Sequence, residues 1–135
     1  MEAATRWYGD AAVIKLTGAL DDESASRLSD ELLYLLQKVE SGAIVIDLSE
    51  VEYISSAGLQ SLLILSRAAK ESTRRIFVAA AKPLVRELLA RSHAQLVLQM
   101  VPTVSEAVRM VSPMAAYAYR EAHPSEITEP LPPAE

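Results

Sequence analysis

The chain has 135 residues, with 13 Lys and Arg against 18 Asp and Glu, no Cys, and only His93 and His123 as histidines. That length suits one domain, and a hydrophobic share of 50% is too high for a wholly disordered chain. The composition excludes a disulfide scaffold, a Cys-based zinc site, a thiol nucleophile and a histidine-rich metal site, and a net charge of −5 argues against nucleic-acid binding, which needs a basic field.

No apolar run approaches the roughly 18–20 residues that span a bilayer. The opening MEAATRWYGD lacks the basic-then-apolar order of a signal peptide. The chain therefore reads as cytoplasmic, with no membrane partner. Thr5–Tyr8 and Ala12–Thr17 are short β-forming runs separated by Gly9-Asp10, a hairpin signal because Gly accepts positive φ without Cβ strain. Ser24–Glu40 carries Ala25, Leu28, Leu32, Leu35, Leu36 and Val39 at helical spacing, with Asp21 and Asp22 as cap candidates and Gly42 as a stop. Ala43–Leu48 is a nearly continuous apolar run, which suits a strand buried on both faces.

Ser49–Glu52 reads as a short acidic connection, and Ala57–Glu71 as a helix with Leu59, Leu62, Leu63, Ser66 and Ala69 inward. Ile76–Ala80 is another buried strand. Pro83–Arg91 is a helix with Pro at its start and Leu84, Val85, Leu88 and Leu89 inward. Leu96–Val101 is a last strand. Thr103-x-x-Glu106 is a capping box that opens a helix with Val104, Ala107, Val108 and Val111 on one side.

The order β-β-α-β-α-β-α-β-α predicts an α/β fold: a mixed five-stranded sheet with a starting β-hairpin and about four helices, in a domain spanning 1–112. The order alone leaves open whether helices cover one face or both. Five of the seven prolines and a charge of −3 fall in 113–135, a proline-rich acidic tail. Within it Ala115–Ala122 allows one or two helical turns that Tyr117 and Tyr119 could dock, and the end, from Pro124, reads as disordered.

The stretch that carries function is Ala43–Leu65, AIVIDLSEVEYISSAGLQSLLIL. It places Ser55 and Ser56 at or just before a helix N-terminus, where unpaired N–H groups and the macrodipole favour an oxygen acceptor and favour an anion more. Capping alone would account for both serines. Asp47 reads as a polar strand end bonding nearby backbone, Gly58 as a close-approach position beside the sheet or a partner, and His93 as a residue of a helix C-terminus. His123 has no evident partner. Asp21, Asp22, Glu23, Glu50 and Glu52 form either a solvated acidic face or a surface that selects a basic partner. Ser56 does not sit in Gly-x-Ser-x-Gly, and Ser55–Gly58 lacks a Gly-x-x-x-x-Gly-Lys loop, so hydrolase and phosphate-loop enzymes fit poorly.

The pattern of an apolar strand ending Asp47-Leu48-Ser49, a spacer, Ser55-Ser56-Ala57-Gly58 and a Leu-rich helix resembles the STAS domain of anti-sigma factor antagonists. Leu16-Thr17-Gly18-Ala19-Leu20-Asp21 is similar to that family's first loop, and Pro102–Ala107 to its last-helix start; the resemblance runs from about Tyr8 to Val111. It implies a single STAS-like domain and a partner switch. The unphosphorylated antagonist binds an anti-sigma factor that is also a serine kinase of ATP-binding fold, and so frees the sigma factor. The kinase phosphorylates one serine, the antagonist lets go, and a metal-dependent serine phosphatase resets it. Carried over, the phosphoacceptor is Ser56, and the partner-binding residues are Asp21, Asp22, Ser55, Ala57, Gly58 and Gln60. The resemblance implies a kinase substrate rather than an enzyme, with no cofactor and no metal, and a homodimer is compatible with it. Two positions depart from the family pattern: Ser55 stands where Asp is common, and Ala19 where Glu is common. The same fold also serves as an interaction scaffold in signalling and transport complexes, a reading that needs no phosphoswitch.

Overall fold

A computed structural model describes residues 1–38, 42–71, 74–92 and 98–124. The elements run β1 (Glu2–Tyr8), β2 (Ala11–Leu20), α1 (Asp22–Lys38), β3 (Ala43–Ile54), α2 (Ser56–Glu71), β4 (Arg75–Ala79), α3 (Pro83–Arg91), β5 (Gln99–Val101), α4 (Val104–Val111) and α5 (Pro113–Ala122). The five strands lie in sequential order, β1 antiparallel to β2 and the rest parallel. The expected mixed sheet with its starting hairpin is therefore present.

Strand order settles which helices cover which face. Each crossover in a monotonic parallel run turns with the same hand, so its helix falls on the same side. Accordingly α1, α2 and α3 bury Leu28, Leu32, Leu62, Leu65, Val85 and Leu89 against Ile14, Leu16, Ile44 and Ile46. Helices after the last strand are free of that rule. There α4 and α5 bury Ala107, Val108, Val111, Ala115 and Tyr119 against Ala11, Val13, Val45 and Phe77. Alternation along β3 feeds both layers, with Ile44 and Ile46 to one and Ala43 and Val45 to the other.

Several elements differ from expectation. Ser49–Glu52 is not a connection, because β3 continues to Ile54 with Val51 and Ile54 buried. The strand carries extra residues relative to β2, with register shifts between Lys15 and Thr17 and between Gly18 and Ala19. The buried Asp47 serves the first of these, its Oδ1 accepting the Ser49 N–H at 2.9 Å. Charged residues disguised this half of the strand, although Val51 between exposed Glu50 and Glu52 keeps the two-residue period.

In α2 the buried face is Gly58, Ser61, Leu62, Leu65 and Ala69, so Ser61 is inside where Ser66 was expected. Leu59, Leu62, Leu63 and Leu65 leave the apolar stripe nearly degenerate around the helix, and the sequence period does not choose a rotation. In α3 Val85 and Leu89 are buried while Leu84 is exposed. The predicted Val39 and Glu40 of the first helix, and His93, Leu96 and Val97, lie outside the described residues, as does the tail from Ser125.

The hairpin turn holds Gly9 at φ +59°. Gly42 does more than end a helix: a Cβ there would fall 1.6 Å from the Asp10 carbonyl oxygen, which also accepts the Ala43 N–H at 3.2 Å. The Asp10 carboxylate accepts from the Ser112 hydroxyl at 2.5 Å, and Ser112 Oγ in turn accepts the Ala115 N–H as the cap of α5. Tyr119 packs edge-on against Tyr8 at 5.1 Å, and His123 stacks on Tyr119 at 4.2 Å. His123 thus has partners that the sequence did not suggest, and Tyr117 is 41% exposed.

Candidate functional site

Two parallel strands end level with one another, and this places the candidate residues together. Leu20 closes β2 opposite Ile54 of β3. The next residues, Asp21 and Ser55, each begin a helix, and the Ser55 N–H donates to the Leu20 carbonyl at 2.8 Å. Two helix N-termini therefore stand side by side at the carboxyl edge of the sheet, a usual place for binding sites in open α/β sheets. Ser61, buried between these helices, donates to the Ala25 carbonyl at 3.0 Å and so ties α2 to α1.

Gly58 sets how closely they approach. A Cβ at that position would lie 2.5 Å from the Leu20 carbonyl oxygen and 2.8 Å from its Cγ. Those distances are below van der Waals contact, so only Gly lets α2 sit against the end of β2. Gly58 is buried. Its contribution to any surface is to seat the helix that carries Ser56.

The two serines have different tasks. Ser55 is the cap of α2: its Oγ accepts the Gly58 N–H at 3.1 Å, and its carbonyl accepts the Leu59 N–H at 2.9 Å. Ser56 is the first helical residue and is exposed. Among the described residues its hydroxyl has no hydrogen-bond partner, so it is open to chemistry that the Ser55 hydroxyl would leave its cap to undergo.

At the neighbouring helix Asp21 and Ser24 cap reciprocally. The Ser24 N–H donates to Asp21 Oδ1 at 3.0 Å, and the Asp21 N–H donates to Ser24 Oγ at 3.0 Å. The backbone N–H of Ser24, and then its hydroxyl, hold the Asp21 carboxyl below the ordinary aspartate value. Asp22 and Glu23 extend outward from the first turn of α1. Ala57 is half-buried and Gln60 exposed, one turn on from Ser56. Glu52 pairs with Lys82 across the same sheet edge, so the acidic residues around the site are not all free charges.

Two exposed apolar residues extend this surface, and the sequence reading passed over both. Tyr53, 48% exposed, lies three residues before Ser56 and pairs in register with Ala19. Ile64, 45% exposed, lies on the line Ser56–Gln60–Ile64 along α2. Only the exposure of a β-former among charges, and a fourth-residue count from Ser56, could have marked them. Among the described residues no group of three or more His, Asp or Glu gathers as metal ligands, and no helix is long and apolar enough to cross a membrane.

The family model described as Mlab, STAS domain matches residues 3–101. The chain belongs to the STAS domain family. Its sequence is 33% identical over 73 residues to BtrV of Bordetella bronchiseptica, provisionally described as an anti-sigma factor antagonist; the match takes in 54% of this chain and 62% of that relative. The STAS fold here is also similar to a crystal structure from Thermotoga maritima with the same provisional description: TM-score 0.75, 20% identity, 81% of this chain and 93% of that one. SpoIIAA, an anti-sigma factor antagonist, is similar in its unphosphorylated form with TM-score 0.63 and 16% identity over 81% of this chain and 96% of that one. The phosphorylated form of the Bacillus protein gives the same TM-score at 17% identity, over 81% of this chain and 98% of that one.

Proposed function

We propose that this STAS domain is an anti-sigma factor antagonist that binds a serine-kinase anti-sigma factor while Ser56 is unphosphorylated and is released when Ser56 is phosphorylated. A metal-dependent serine phosphatase returns it to the binding form. The observation that carries this reading is the division of labour between adjacent serines, with the Ser55 hydroxyl committed to capping α2 and the Ser56 hydroxyl exposed at the first helical position. The partner would dock on the Asp21–Asp22 turn and the Ser55–Gln60 stretch, with Tyr53 and Ile64 supplying apolar contact.

The switch is electrostatic. Phosphorylation adds about −1.5 to −2 charges, which the N-terminus of α2 tolerates because its macrodipole and free N–H groups favour an anion. The same dianion disrupts a docked apolar surface and repels acidic groups of a partner. No refolding is required, and SpoIIAA, which shares the fold, exists in both forms.

The test is to incubate the protein with ATP and the candidate kinase and map the phosphate by mass, then to measure partner affinity for three forms. Ser56→Ala should bind as tightly as the wild type and resist phosphorylation, while Ser56→Asp should bind at least about tenfold more weakly. Equal affinity of Ser56→Asp and wild type, or phosphate found elsewhere, overturns the proposal. Ser55 in place of the family's common Asp favours a second reading, a constitutive scaffold contact through this surface. On that reading the protein stays unmodified and binding survives Ser56→Asp.

A further inference from the structure

The two edges of the sheet are unlike. β5 is a three-residue strand followed at once by Pro102, a residue that cannot donate to a ladder. β1 has seven residues, pairs among the described residues with β2 alone, and runs in unbroken register from Glu2 to Tyr8. It has no proline and no bulge, and every residue from Glu2 to Trp7 is exposed. A long, regular strand with an open backbone edge is a template for another strand.

The sequence of β1 says which strand. Turned antiparallel on itself about Ala4, EAATRWY places Glu2 opposite Arg6 and Arg6 opposite Glu2, with Ala3 opposite Thr5. Both charged residues are exposed, and they sit on the same face because they are four apart in a strand. Registers displaced from this one separate the two charges. The other face of β1 bears Ala3, Thr5 and Trp7 beside α1, and there Trp7 is 48% and Tyr34 60% exposed, an apolar shelf bordering the open edge.

We propose that β1 is a self-association edge: two copies of this chain pair β1 with β1 antiparallel about Ala4, joining their sheets into one of ten strands. Two Glu2–Arg6 pairs set the register, which places Trp7 of each copy opposite Met1 of the other, so each Trp7–Tyr34 shelf borders the start of the partner's β1. The surface lies at the opposite edge strand from β5; its Met1 end adjoins the Gly18–Asp21 stretch, and the two proposals are told apart by readout, phosphate position and partner affinity for one and self-association for the other.

Charge reversal tests it, because the residues are exposed and their exchange leaves the fold intact. Sedimentation over a concentration series at low salt should show a monomer–dimer equilibrium for the wild type. Glu2→Arg alone and Arg6→Glu alone should each weaken it about tenfold, since each makes two like-charge pairs. An equimolar mixture of the two single variants should restore association, because every cross-strand pair between them is again opposite in sign. Amide exchange should show β1 gaining protection as concentration rises, while α2 does not. A wild-type chain that remains monomeric throughout the series, or single variants that associate as well alone as mixed, overturns the proposal.

Discussion

The starts of α1 and α2 stand next to each other at one sheet edge, and both use a side chain to satisfy the orphan N–H groups of a first turn. They do so differently. At α1 two residues cap each other, so the Asp21 carboxylate and the Ser24 hydroxyl are both committed. At α2 one serine caps and the adjacent one remains open. The difference teaches how a fold can place a modifiable hydroxyl at an anion-favouring position without making helix stability depend on it.

The largest expected effect comes from removing the close approach that aligns the two starts. Gly58→Ala gains about 1 kcal/mol of helix propensity. Its Cβ, however, would meet the Leu20 carbonyl at 2.5 Å. Overpacking against backbone should win, for a net loss of about 2 kcal/mol in urea denaturation. A stabilised variant would show that α2 can slide away from β2 freely.

Ser55→Ala should cost about 1 kcal/mol, because the cap bond to Gly58 N–H is lost. Ser24→Ala should cost a similar amount, about 1 kcal/mol, and should also raise the Asp21 carboxyl toward its ordinary value by removing one of the hydrogen bonds that lower it. The remaining backbone bonds from residue 24 and Glu23 keep that rise partial, and carboxyl NMR titration would measure it. The sign of the pH effect follows from the direction of the shift. The stabilisation from ionised Asp21 is fully present above the ordinary aspartate range and is lost as pH falls through the lowered folded value. Asp21→Asn should remove that acid-side dependence.

The smallest effect is expected at Ser56. Ser56→Ala should change stability by less than about 0.5 kcal/mol, since its hydroxyl holds nothing in place. A loss as large as that of Ser55→Ala would erase the contrast between the two serines.

Much of the architecture was legible beforehand because it is written locally. Pro at the start and apolar residues three and four apart bound α3 at the same residues in sequence and structure, Pro83–Arg91. Thr103 caps α4 by accepting the Glu106 N–H, which is one half of the capping box its motif implied. The second half of β3 was not legible, since its acidic residues resemble a loop until β2 is laid beside it. The rotation of α2 was equally hidden in a helix rich in Leu, and the contact of Gly58 with Leu20 chooses it.

For the candidate site the division is similar. By itself the sequence determined the element types, the paired serines at a helix start, and the family likeness, because propensity, capping and hydrophobic period act over a few residues. The bond from the Gly58 N–H to Ser55 Oγ agrees with the reading of Ser55 as the cap. Only the tertiary structure decided that Asp21 and Ser55 adjoin and that Tyr53 and Ile64 share their surface. Those facts depend on strand register and on contact between residues more than thirty positions apart, such as Leu20 with Ser55, and no local pattern encodes where two strands end relative to each other.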